Sequence, residues 1–145
     1  MVRRTVAVVG GGCSGVLVTR EILGRTGDDV VMIEPGEPGG GVAYGAARPW
    51  HLLNSRAGAM SADPDDPGHF VRWSGAAPDE FLPRATYGRY LRSVLDAAAG
   101  SGRLDRRVAR VTGVRPGAAG CAVTLDSGGE LRADHVVLAT GNPSG

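Results

Sequence analysis

Gly10, Gly12 and Gly15 follow the apolar run Thr5 to Val9 and precede a segment of helical periodicity. A Gly-x-Gly-x-x-Gly turn in that place has a chemical use. The first glycine permits a tight turn, the second lets a diphosphate approach the backbone, and the third lets helix and strand pack closely. The free N–H groups of the first helical turn, with the roughly half-unit positive charge of a helix N-terminus, favour a bound pyrophosphate. Ser14 either adds a hydroxyl donor or caps the helix. Glu34 closes the next apolar run, roughly 20 residues beyond the turn, where a carboxylate can accept from the hydroxyls of an adenosine ribose. A carboxylate there repels a 2′-phosphate, so FAD or NAD is expected rather than NADP. The bland alternative is a structural Gly-rich turn followed by an ordinary solvated acid.

Other side chains offer less chemistry. All 16 basic residues are arginine, which removes a Schiff-base lysine and the lysine of a P-loop. Cys13 and Cys121 form no C-x-x-C pair and read as small, buried or half-buried residues. His51, His69 and His135 have neither metal-ligand spacing nor a nucleophile partner, so no metal site and no catalytic residue is assigned; His51 is the best placed of the three. Arg84, Tyr87 and Arg89 stand near the start of a helix, where an arginine either meets a substrate or a nicotinamide phosphate, or forms a solvated face. A net charge of +1 with interspersed signs gives no footprint for nucleic acid or an anionic membrane. Arg3-Arg4 precede too short an apolar run for an export signal, and no stretch approaches the roughly 20 apolar residues of a membrane helix. A soluble, cytoplasmic protein is expected.

The elements that must position these residues alternate as strand, helix, strand. Thr5 to Val9 reads as a strand buried on both faces, Ser14 to Leu23 as a crossover helix, and Asp29 to Glu34 as a second parallel strand. From Pro35 to Pro83 no period is sustained, and Tyr44, Trp50, Phe70 and Trp73 in this loop need something to pack on, a cofactor surface being one candidate. Tyr87, Tyr90, Leu91, Val94 and Leu95 share one face of a helix running from Thr86 to Gly100 or Gly102. Then come a strand at Arg107 to Val114, a small antiparallel meander through Cys121 to Leu125 and Glu130 to Arg132, and a last buried strand at His135 to Ala139.

The segments VVGGGCSG, VVMIEPGEPGGGVAYG, HLLNSRAGAMSADPDDPGHFVRW, FLPRATYGRYL and VVLATGNP together resemble the bacterial FAD/NAD(P)-binding oxidoreductase family. That family is similar to flavoproteins with two dinucleotide-binding domains, which include N-hydroxylating and other NADPH-dependent flavin monooxygenases. The resemblance implies that residues 1–145 are the N-terminal portion of a glutathione-reductase-type FAD domain. Its fold would be α/β, with a Rossmann-like parallel sheet ordered three-two-one-four and the meander as a flap. It places Gly10, Gly12 and Gly15 at the pyrophosphate and Glu34 at the adenosine ribose. Gly39, Gly40 and Gly41, with Tyr44 and Gly45, match the flavin-side wall, and Leu53-Asn54 with Met60-Ser61 match the segment after it. The strand around Val108 to Val111 resembles the one whose backbone meets adenine, and Thr140 and Gly141 lie close to the pyrophosphate turn.

The resemblance also implies NAD(P)H as the reductant of the complete enzyme. No second Gly-rich turn, nicotinamide domain or substrate domain is read in the chain. The expectation is therefore an incomplete flavin domain that does not turn over alone. The rival expectation is a non-catalytic nucleotide-binding module, or a fragment completed by a partner chain. A dehydrogenase domain that binds NAD fits the first 34 residues but leaves the long loop and the meander unexplained.

Overall fold

The computed structural model describes residues 2–142. Pro143, the last residue of the VVLATGNP segment, lies outside them. Strand β1 (Thr5–Val9) runs into helix α1 (Cys13–Arg25), which returns to strand β2 (Asp29–Ile33). The two strands pair in parallel, from Thr5 beside Asp29 to Val9 beside Ile33. Strand β3 (Leu104–Arg107) adds to the far side of β2, and strand β7 (His135–Leu138) to the far side of β1. The order β3-β2-β1-β7 is the three-two-one-four order expected, with β7 in fourth place. Strands β4 (Val111–Gly117), β5 (Gly120–Leu125) and β6 (Glu130–Ala133) form a separate antiparallel sheet.

The unbroken apolar character of β1 follows from cover on both faces. Val6 and Val8 pack with Leu23 of α1 and Val30 on one side. Ala7 faces the other way, against Val123 and Ala133 of the antiparallel sheet. That sheet is a third layer, and it buries the face of the parallel sheet remote from the helices. On the helical side, Val16 and Met32 join the buried face of α3 (Arg84–Ala99), formed by Tyr87, Tyr90, Leu91, Val94 and Leu95.

The structure divides the strand read at Arg107 to Val114. β3 ends at Arg107 and β4 begins at Val111, because the chain leaves the parallel sheet here and crosses to the antiparallel one. β3 is an edge strand whose Asp105, Arg106 and Arg107 are exposed, so it lacks the apolar run that marks β1 and β2. The loop from Pro35 to Pro83 also holds helix α2 (His69–Ser74), too short for a readable period and stopped by Gly75 at φ 71°.

The aromatic residues of the loop have found protein partners. Phe70 is fully buried, with its ring 4.7 Å from that of Tyr90 and 5.2 Å from that of Tyr87. Trp73 lies 5.4 Å from Tyr90, and Tyr44 meets Tyr87 edge-on at 5.1 Å. Trp50 remains 69% exposed beside Arg48. α3 thus gives three of the four something to pack on, because Tyr87 and Tyr90 present a broad apolar face.

Candidate dinucleotide site

β1, β2 and β7 all point their C-terminal ends at one cleft of about 720 Å³, within the range of roughly 300–1,000 Å³ usual for cofactor sites. It lies where the chain reverses its order across the sheet, between β1 and β7, the place where open α/β sheets bind ligands. Gly10, Gly12 and Ser14 line it from the α1 side, Glu34 from the end of β2, Gly40, Gly41 and Tyr44 from the loop, and Thr140 and Gly141 from beyond β7.

The three glycines of the turn have three different reasons to be glycine. Gly10 adopts φ 109°, and a Cβ there would overlap the carbonyl oxygen of Ala139. Gly15 lies beneath the turn, where a Cβ would overlap the carbonyl oxygen of Gly10, so it sets the approach of α1 to β1. At Gly12, the N-cap, a Cβ would meet only Gly41 Cα at 3.5 Å. At the glycine expected to admit a ligand, only the loop backbone at Gly41 comes near, at van der Waals distance.

No side chain caps α1. Ser14, exposed at the cleft, therefore does not act as the cap, and the N–H groups of the first turn have no partner four residues back in the helix. Gly11 donates its N–H to Glu34 Oε2 at 3.1 Å, which fixes the acid beside the turn. Gly39 donates to the Gly11 carbonyl at 2.6 Å and has φ 83°. A Cβ on Gly39 would stand 2.7 Å from the Gly88 carbonyl oxygen, so this residue wedges between the turn and α3.

Two of the expected positions lie elsewhere. Asn54 is exposed in the loop and does not line the cleft. Val108 is 84% exposed just past the end of β3, also outside the cleft lining. Of the residues near the start of α3, Arg89 faces the cleft, Tyr87 is core, and Arg84 donates its Nε–H to the Leu52 carbonyl at 3.0 Å. Gly11, Glu37 and Arg92 were not anticipated, nor was the bond that joins the expected Gly39 to the turn. Arg92 stands one turn beyond Arg89, a spacing that could have identified it.

Burial pushes the Cys13 thiol above its usual range and does the same to the Tyr44 and Tyr87 hydroxyls, so none of these is poised to ionise at neutral pH. His51 accepts from the Arg48 N–H, His69 shares a 2.7 Å hydrogen bond with the Tyr90 hydroxyl, and His135 is exposed on β7; none lines the cleft. Among the described residues no group of three or more His, Cys, Asp or Glu could hold a metal ion. No helix among them is long and apolar enough to cross a membrane.

The parallel sheet, the glycine turn at the N-terminus of α1 and the acid at the end of β2 define a dinucleotide-binding α/β domain. A family model described as FAD-NAD(P)-binding matches residues 7–143, and the chain belongs to this FAD-NAD(P)-binding family. A flavin-containing monooxygenase from Stenotrophomonas maltophilia is similar, with 27% identity and a TM-score of 0.72 over 97% of this chain and 39% of that one. A cyclohexanone monooxygenase variant from Rhodococcus sp. Phi1, bound to NADP+, gives 23% identity and a TM-score of 0.74 over 97% of this chain and 27% of that one. OTEMO in complex with FAD and NADP gives 25% identity and a TM-score of 0.69, covering 95% of this chain and 25% of that one. The chain thus spans about a quarter to two fifths of the length of these structures. A search of curated proteins finds no match.

Proposed function

We propose that the cleft holds FAD, with the diphosphate at the N-terminus of α1 and the adenosine ribose at Glu34, as part of an NAD(P)H-dependent flavin oxidoreductase of the monooxygenase type. The observation that carries this is the bond from Gly11 to Glu34, which puts the ribose acceptor within one hydrogen bond of the phosphate cradle. The cleft of about 720 Å³ at the turn, lined by Gly10, Gly11 and Gly12, supports it.

The chain's own residues bind and orient. The N–H groups of Gly12, Cys13 and Ser14 would hold the diphosphate, and the pole of α1 would add its partial charge. Glu34 accepts from the ribose hydroxyls and repels a 2′-phosphate. Gly40, Gly41 and Tyr44 wall the side of the cleft leading away from the adenosine end. When bound, FAD supplies the redox chemistry, taking a hydride from a nicotinamide cofactor and passing electrons onward. That hydride needs a second dinucleotide site, on the same polypeptide or on a partner chain.

Titration calorimetry with FAD and with NADP tests the reading. FAD should bind and NADP should bind more weakly. Tighter binding of NADP would overturn the role of Glu34.

A further inference from the structure

The charged side chains that line the cleft are Glu34 and Glu37 on one side and Arg89 and Arg92 on α3. Glu34 accepts from the Gly11 N–H. The diphosphate of a dinucleotide carries more negative charge than the roughly half-unit pole of a single helix can balance. α3 is the element that can supply the remainder.

We infer that Arg92, with Arg89 one turn before it, meets the cofactor diphosphate from the wall opposite α1, and that Glu37 holds Arg92 in reserve until the diphosphate takes its place. This rests on the reading of the cleft as a FAD site. The root of Arg92 is fixed close to the turn. Gly39 is bonded to the Gly11 carbonyl, and a Cβ on Gly39 would lie 3.0 Å from both the backbone nitrogen and Cγ of Arg92. Its guanidinium is loosely held, with Nη1 3.7 Å from Glu37 Oε2 and the Glu37 side chain 83% exposed. Among the described residues, Arg89 donates only to Thr86 Oγ1 of its own helix, at 3.2 Å.

Other arginines are tied more firmly. Arg20 reaches Asp63 at 2.7 Å, Arg106 reaches Asp96 at 2.8 Å, and Arg107 reaches Asp105 at 2.8 Å. An arginine with no close carboxylate keeps its planar set of donors available, and phosphate oxygens match that geometry. An exposed ion pair as long as the one from Arg92 to Glu37 stabilises little, so exchanging Glu37 for a diphosphate costs little.

Flavin fluorescence titration of the chain and its Arg92→Gln, Arg89→Gln and Glu37→Gln variants, at two salt concentrations, tests this. Arg92→Gln should weaken FAD binding about three- to tenfold, with Arg89→Gln weaker in effect, and both should flatten the salt dependence. Glu37→Gln should tighten binding about twofold, because Arg92 loses its competitor. ADP, which carries the diphosphate, should follow the same ranking. All three side chains are on the surface, so melting temperatures should stay close to that of the parent. Equal affinities for FAD and ADP across parent and variants would overturn this inference alone. Failure of the parent chain to bind FAD would remove the cofactor reading, and this inference with it.

Discussion

Gly11 and Glu34 are joined by a 3.1 Å hydrogen bond from the Gly11 N–H to Oε2 of the carboxylate. The bond couples the end of β2 to the turn after β1, and so links directly the acid proposed for the ribose and the turn proposed for the diphosphate. A carboxylate has about four acceptor sites, so holding Gly11 leaves capacity for the ribose hydroxyls.

Removing that acceptor should therefore be felt in affinity. Hydrogen bonds to charged groups contribute about 1.5–3 kcal/mol, so Glu34→Ala should weaken FAD roughly ten- to a hundredfold. The same change removes the charge facing a 2′-phosphate, and the preference for FAD over NADP should narrow. Calorimetry on both ligands measures the two effects together.

The glycines of the turn should separate binding from folding. Gly12→Val places its methyl groups at the mouth of the turn, beside Gly41, and should abolish FAD binding while the melting temperature stays near that of the parent. Gly10→Ala forces a side chain into the Ala139 carbonyl at φ 109° and should destabilise the fold by about 3 kcal/mol or more. Thermal melts paired with FAD titrations distinguish the two classes.

Cys13 lines the cleft and its thiol is raised by burial, so it reports on occupancy. Alkylation should be slow at neutral pH and should accelerate only as pH rises past the ordinary thiol range, since the thiolate is the reactive form. Saturating FAD should slow it further. Mass spectrometry of the Cys13 peptide, with and without cofactor, follows this directly.

The loop beneath α1 should show an acid limb. The Asp65 N–H donates to Asp63 Oδ1 at 3.0 Å, and this bond, with Arg20 beside the other oxygen, holds Asp63 below the usual carboxylate range. A carboxyl whose pKa is lower in the folded protein stabilises it above the unfolded value, and that contribution disappears as pH falls through the folded one. Asp63→Asn should thus cost stability at pH 7 but little once the pH is well below about 4. Urea melts of both proteins at the two pH values would show the difference shrinking.

The parts legible in the sequence were those in which one residue type has one structural cause. β1 and β2 were readable because both faces are covered, and α3 because Tyr87, Tyr90, Leu91, Val94 and Leu95 repeat with the helical period. Gly10, Gly12, Gly15 and Glu34 were readable because a turn, a close approach and an acid recur at fixed spacing. β3 was hidden by its exposed charges, and α2 by its length. Arg92, and the contact of Gly39 with the turn, were hidden for another reason. Their proximity to the turn depends on how the loop after β2 lies across α3, and contacts between segments so far apart leave no local pattern.

The central claim is that FAD sits between the N-terminus of α1 and Glu34. Backbone-resolved NMR of isotope-labelled protein during a FAD titration tests it most directly. The largest amide shifts should fall at Gly11, Gly12, Cys13 and Ser14, with further shifts at Glu34, Gly41 and Thr140. Shifts concentrated instead around Arg20, Asp63 and His69, which line a second depression on the other side of α1, or no saturable shift at the turn, would contradict it.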